Sequence, residues 1–207
     1  MLQQVRFRYI AFAVATLALA ATSDAAGQVT GTPRPPTKTV TPSRSQRRFR
    51  ISAPDLSSRG RIALTHVYNG MGCTGQNISP ALEWTNPPAG TKSFAVTAYD
   101  PDAPTGSGWW HWVMYNIPAN ATGLPAGAGT GRNAPRGSAQ GNTDFGSKGY
   151  GGPCPPVGDP PHHYHFKVFA LKVDKLDVPG NATAAMIGYN LNANKLATAE
   201  IVSLYGR

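Results

Sequence analysis

The chain has 207 residues, room for one ordinary domain with an extension but not for two full domains. Hydrophobic residues at 41% exclude a fully disordered chain, charged residues at 14% exclude a charge-laced helical bundle, and 23 Gly with 19 Pro call for a turn-rich, mostly β protein. The net charge of +9 suggests a polyanionic partner, but +8 of it belongs to residues 1–61 and +1 to residues 62–207, so no specific nucleic-acid-binding face is expected on the body.

Arg6 and Arg8 precede an apolar run, Tyr9–Ala21, and small-residue cleavage sites follow at Ala18-Leu19-Ala20 and Ser23-Asp24-Ala25. This is the layout of a secretory signal peptide, read as residues 1–20 with cleavage between 20 and 26. The run falls short of the ~20 residues that span a bilayer comfortably. No Cys sits near the cleavage site to carry a lipid anchor. Residues 21–48 are rich in Pro, Thr and Arg and read as a disordered tail. Its arginines, Arg44, Arg47 and Arg48, with Arg50 beyond, suit at most a weak membrane-surface contact, and a solvated linker is the blander reading. The folded body is assigned to residues 49–207, and the exported chain to the periplasm or the outside of the cell. Cys73 and Cys154 are the only cysteines, which allows one intramolecular bridge, with free thiols as the alternative.

In the body, strand-length apolar or alternating segments run from Ile62 to Tyr68, Phe94 to Tyr99, Trp112 to Ile117 and Tyr164 to Val173. The stretch from Gly123 to Pro161 is Gly/Pro-rich and has no regular pattern, which marks a functional or flexible loop. Asn181 offers a cap for a helix beginning at Ala182 and running past Tyr189 toward Leu196. Ala199–Tyr205 fits helix or strand equally. Strands without regular intervening helices, then a helical segment, favour an antiparallel β-sandwich.

Four of the five histidines fall in two short stretches, Asp100–Trp112 and Tyr150–Phe166. An extended chain puts Asp100 and Asp102 on one side. The same period of two puts His162, Tyr164 and Phe166 on one face of their strand, and His163, His165 and Lys167 on the other. A carboxylate beside an imidazole favours its charged form. Imidazolium, phenol and loop N–H groups together suit a phosphate oxyanion. The aromatic residues Trp109, Trp110, Trp112 and Tyr164 suit a cation or an apolar stem. His111, His162 and Asp100 are the residue types of a two-His–carboxylate metal site, but no helix with paired-His spacing supports that, and no metal or other cofactor is expected. No nucleophile elbow or triad spacing is present.

These stretches resemble the phosphatidylethanolamine-binding protein family, and within it the bacterial YbhB/YbcL branch, whose members are called Raf kinase inhibitor-like. The carrying motifs are D-P-D-A-P at Asp100–Pro104, W-H-W at Trp110–Trp112, N-I-P at Asn116–Pro118, G-Y-G-G-P-C-P-P-V-G at Gly149–Gly158 and H-H-Y-x-F at His162–Phe166. N-I-S-P-A-L-E-W at Asn77–Trp84 matches the family's early strand region. The resemblance implies a mainly β, Greek-key antiparallel sandwich with a large central sheet; the C-terminal helical segment comes from the residue pattern, and the eukaryotic C-terminal lid helix is not carried over. It implies a ligand pocket made by Asp100, Asp102, His111, Gly152, His162 and Tyr164, walled by Pro104, Trp110, Trp112 and Pro153, and a cis peptide before Pro104. The loop holding Cys73 is expected to approach the Cys154 loop, so the two cysteines are predicted to be bonded. His163 stands where eukaryotic members usually carry Arg, and kinase regulation is not carried over to an exported chain.

The expected function is therefore an exported, non-catalytic binding protein for a small phosphate-bearing or anionic ligand, such as a phosphoethanolamine head group. Two alternatives remain open. One is a protein-interaction or inhibitor module that docks on a partner through the pocket rim and the 123–161 loop. The other is a phosphoester hydrolase.

Overall fold

The computed structural model describes residues 48–56 and 60–207. The leader read at 1–20 and, apart from Arg48, the tail read at 21–48 lie outside the described residues. In chain order the strands are β1 (Arg50–Ser52), β2 (Asn69–Gly70), β3 (Cys73–Thr74), β4 (Leu82–Thr85), β5 (Ser93–Asp100), β6 (Trp109–Pro118), β7 (Gly123–Leu124), β8 (Ala139–Gln140), β9 (His162–Leu171) and β10 (Lys195–Tyr205). One helix, α1 (Ala184–Asn194), precedes β10, and short 3-10 turns occur at Leu64–His66 and Ala128–Thr130.

The long strands form where β-branched and aromatic residues alternate between two hydrophobic layers. Along β5, Phe94, Val96 and Ala98 enter one apolar cluster, and Ala95 enters the other. Along β9, Tyr164, Phe166, Val168 and Ala170 enter the first, and Phe169 and Leu171 the second. Both faces of this sheet are therefore buried over much of its length. Its strand order is β10-β9-β5-β6-β8, with every pair antiparallel. β9 returns after the long Gly/Pro-rich segment to lie beside β5, a Greek-key return. A second antiparallel sheet, β1-β4-β7, brings Ile51, Leu82, Trp84 and Leu124 against the first cluster. The fold is thus the mainly β antiparallel sandwich that the resemblance implied, with the C-terminal helical segment read from the residues. Each large apolar side chain buried between the layers contributes about 1.5–3 kcal/mol.

α1 covers the other face of the large sheet. It buries Ala184, Ile187, Gly188 and Leu191, spaced as one helical stripe. Its cap is Thr183, whose hydroxyl accepts from Met186 N at 3.2 Å, not the expected Asn181. Asn181 instead offers its carbonyl to Asn142 Nδ2. Lys195 leaves the helix with extended backbone (φ −70°, ψ 139°), and Ala199–Tyr205 then resolves as strand because it pairs with β9.

Ile62–Tyr68 is not a strand. Ile62 and Val67 are buried, but Leu64 is 63% exposed, so the alternation fails and the chain turns at Leu64–His66. The ladder there shrinks to one bridge between Arg61 and Leu204. No peptide bond among the described residues is cis, so the bond before Pro104 is trans, the form favoured by about 0.5–1 kcal/mol for X–Pro.

Candidate ligand-binding site

Three neighbouring strands, β5, β6 and β9, end on the same side of the first cluster, and their last residues carry the polar chemistry. Asp100 closes β5 and His162 opens β9. His162 Nδ1 donates to Asp100 Oδ2 at 2.7 Å, and the side chains are 5% and 3% exposed. The other Asp100 oxygen accepts from Asp102 N at 2.8 Å. His162 Nε2 lies 3.5 Å from Asp159 Oδ2, too long to use up a donor or acceptor.

β6 reaches the site through a bulge. Ala98 pairs with Trp112 and the next residue, Tyr99, pairs with Trp110, so His111 is the extra residue between them. A bulge re-aims its residue out of strict alternation. His111 is buried, its ring meets Tyr164 edge-on at 5.2 Å, and Nδ1 donates to the Gly151 carbonyl at 2.7 Å. Burial pushes its pKa below the usual 6.5, and the Gly151 carbonyl and the Asp100 charge only partly offset that. The imidazole is therefore neutral at neutral pH.

Tyr164 follows His162 by two residues on the same face of β9. Burial, then the nearby Asp100 charge, pushes its phenol pKa well up, so the hydroxyl keeps its proton. The Asp100 carboxylate lies close enough to interact with its oxygen but not in hydrogen-bond geometry, and no other group partners it. Trp109 Nε1 also lacks a hydrogen-bond partner, and among the described residues these are the only two buried side-chain polar atoms so left. Both residues line one cavity of about 260 Å³. That is below the ~300–1,000 Å³ of sites for drug-sized ligands, so it has room for a small ligand only. The floor holds Asp100, His111, His162 and Tyr164, and apolar walls come from Pro104, Trp109, Phe145 and Pro156.

Behind His111 runs a turn, Gly151–Gly152, that does not itself line the cavity and is held by unrelated parts of the chain. Gly151 N donates to the His111 carbonyl at 2.9 Å, and Gly152 N donates to Asn77 Oδ1 at 2.8 Å. Asn77 Nδ2 donates in turn to the Tyr150 carbonyl at 3.2 Å. A side chain at Gly152 would strike the His66 carbonyl, so that position must be glycine. Cys73 and Cys154 are bonded, with Cα atoms 6.0 Å apart, and Cys154 itself borders the cavity. The bridge spans 81 residues of sequence, and closing so long a loop is worth about 4–5 kcal/mol.

Six of the expected positions thus separate into two groups. Asp100, His111, His162 and Tyr164 share the cavity. Asp102 does not line it: its carboxylate accepts from His163 N and His163 Nδ1, both at 2.7 Å, on the outer face. Burial works to raise the Asp102 pKa, but the bonds from His163 and the charges of His163 and His162 outweigh it, and the net shift is downward. Gly152 does not line it either, since its N–H is taken by Asn77. Among the expected wall residues only Pro104 borders the cavity. The bulge at His111 sends Trp112 into the core, where Nε1 donates to Gln140 Oε1 at 2.8 Å, and leaves Trp110 against Tyr99 on the other side. Pro153 lies outside the lining, and its carbonyl accepts from Tyr68 N.

Met71, Phe145 and Arg207 also line the cavity, and sequence reasoning did not select them. Phe145 sits in the patternless loop, and only packing against Trp109 and His111 reveals it. Arg207 had a legible signal. Ser203 pairs with Tyr164 and Tyr205 with His162, so the next residue in that alternation is Arg207. No group of three His, Cys, Asp or Glu side chains among the described residues is placed to hold a metal ion.

An antiparallel sandwich with a small, partly polar cavity at the ends of adjacent central strands defines a β-sandwich protein with a strand-end ligand cavity. The phosphatidylethanolamine-binding protein model matches residues 53–206, and the chain belongs to that family. YbcL of Escherichia coli is 55% identical over 159 residues, covering 76% of this chain and 87% of that protein. YbhB of the same organism is 50% identical over 158 residues, covering 76% and 99%. The crystal structure of Escherichia coli YbcL, described as a new member of the mammalian family, superimposes with a TM-score of 0.75 at 54% identity, covering 77% of this chain and 98% of that one. LppC of Mycobacterium tuberculosis, named a lipoprotein, is 33% identical over 135 residues, covering 64% of this chain and 62% of that protein.

Proposed function

We propose that the chain is an exported binding protein whose cavity holds the phosphate of a small phosphorylated head group, with phosphoethanolamine as the representative ligand. The observation that carries this reading is the pair of unpartnered buried donors, Trp109 Nε1 and Tyr164 Oη, in the lining of one cavity. A buried donor without an acceptor costs about 1–3 kcal/mol. An oxyanion in the cavity recovers that cost, and one phosphate offers enough acceptor oxygens for both donors. Asp159, half-exposed beside His162, suits the ammonium end of such a ligand. The family name supports the same ligand class.

Export is supported by three independent features: the leader-like N-terminus, the disulfide and the likeness to a protein named a lipoprotein. No described helix is long and apolar enough to cross a membrane. Binding without turnover is the chemistry we propose. Cys154 is held in the disulfide, Thr105 Oγ1 donates to the Gly108 carbonyl, and Tyr164 keeps its proton, so these three wall residues offer no activated nucleophile.

Calorimetric titration of the oxidised protein with phosphoethanolamine tests the reading. Saturable binding at millimolar ligand or below is expected, with no release of inorganic phosphate on long incubation. Absence of binding at that concentration would remove the ligand class, and phosphate release abolished by His111→Ala would replace binding with hydrolysis.

A further inference from the structure

β2 and β3 form a hairpin whose two turn residues, Met71 (φ 53°) and Gly72 (φ 79°), are both left-handed. Such a turn suits the right-handed twist of the flanking strands. It also offers two carbonyls to one side chain. Arg207 Nη1 donates to the Gly72 carbonyl at 2.8 Å and Nη2 to the Met71 carbonyl at 3.4 Å. Arg207 Nε donates to the Pro155 carbonyl at 2.6 Å, on the other side of the disulfide. The Arg207 carbonyl accepts from Gly158 N at 3.2 Å, which fixes the backbone of the residue as well.

Three features separate this guanidinium from an ordinary surface arginine. Its hydrogen bonds go to neutral carbonyls, and no side-chain carboxylate among the described residues pairs with it. It borders the cavity, where it is the only Lys or Arg and Asp100 the only Asp or Glu. Three carbonyl bonds hold the side chain in place, so little rotamer entropy is left to lose when a ligand arrives.

Resting on the reading of the cavity as a phosphate site, the geometry points to Arg207 as the residue that sets its preference for anions. Without Arg207 the lining carries one buried carboxylate and no fixed cation, and an approaching phosphate is repelled. With it, the formal charge of the lining is balanced, and two guanidinium N–H groups remain to meet phosphate oxygens. The disulfide and the arginine join the same pair of loops, one covalently and one by hydrogen bonds. Replacing the arginine therefore leaves those loops connected.

The test titrates inorganic phosphate and phosphoethanolamine into the oxidised wild-type protein and into Arg207→Gln and Arg207→Lys, with thermal unfolding as the control for folding. Arg207→Gln is expected to weaken both ligands about ten-fold, as the loss of a charge-assisted hydrogen bond does. Arg207→Lys is expected to recover to within about three-fold, because it restores the charge but not the fork. If the wild type binds and Arg207→Gln binds equally well, the role assigned to Arg207 is wrong while the phosphate site stands. If Arg207→Lys is as weak as Arg207→Gln, the arginine acts by shaping the loops and the charge argument fails. If the wild type binds neither ligand, the phosphate site itself falls and this role with it.

Discussion

Two Asp–His pairs, two residues apart on β5's end and one residue apart on β9, have the same 2.7 Å contact and opposite surroundings. Asp100–His162 points into the cavity with side chains 3% and 5% exposed, and Asp102–His163 points outward with side chains 41% and 55% exposed. Residue types and bond lengths do not distinguish them. Burial does. In water an ion pair of this kind contributes little, because solvent competes for both partners. Inside, removing one partner leaves a buried group with nothing to replace the bond. The family motif contains both aspartates, and an extended chain would put them on one side, but β5 ends at Asp100 and the chain turns, so Asp102 faces the surface instead.

The largest expected effect lies on the cavity side, which is also the side closed covalently. Replacing Cys73 and Cys154 together by Ser is expected to lower the unfolding free energy by about 4–5 kcal/mol, measured by urea unfolding without reductant. A loss near zero would mean that the loops are held by Arg207 and the backbone bonds alone. Asp100→Ala is expected to cost about 3 kcal/mol or more by the same measurement and to abolish phosphoethanolamine binding. Tyr164→Phe separates the two quantities. It removes a hydroxyl that lacks a partner, so stability should hold or rise slightly while phosphate affinity falls about ten-fold.

The pH dependence follows from His111. Unfolded, its imidazole protonates around 6.5, and folded only at lower pH, so the unfolded chain binds more protons between those values. The stability contributed by this group is complete above 6.5 and is lost as the pH falls below it, and His111→Gln should flatten that part of the curve. The smallest effect belongs to the outer pair. Asp102→Ala should change stability by at most about 1 kcal/mol and leave ligand affinity within two-fold. A larger change in binding would erase the distinction between the two pairs.

Strand periodicity alone chose His162 and Tyr164 over His163, and the structure places them so, because a period of two survives wherever a strand is regular. On β6 that period breaks: a bulge at His111 sets Trp109 beside the cavity in place of the expected Trp110 and Trp112, and nothing in W-W-H-W announces where the extra residue falls. Asn77 was visible as part of a motif, but not as the side chain that takes up the Gly152 N–H, because that contact joins residues 75 apart in sequence. Phe145 and the turn at Gly151 were illegible for the same reason: the segment is ordered by long-range backbone bonds, not by local pattern. Arg207 was within reach of the strand alternation once β10 was known to pair with β9.

The central claim is that the inward pair serves a ligand and the outward pair does not. Phosphoethanolamine titrated calorimetrically into wild type, His162→Asn and His163→Asn tests it most directly, with unfolding curves confirming that all three are folded. The account predicts that His162→Asn loses binding by ten-fold or more and that His163→Asn binds like the wild type, as the geometry of a buried against a solvated pair requires. Equal losses in the two variants, or a loss confined to His163→Asn, would contradict it.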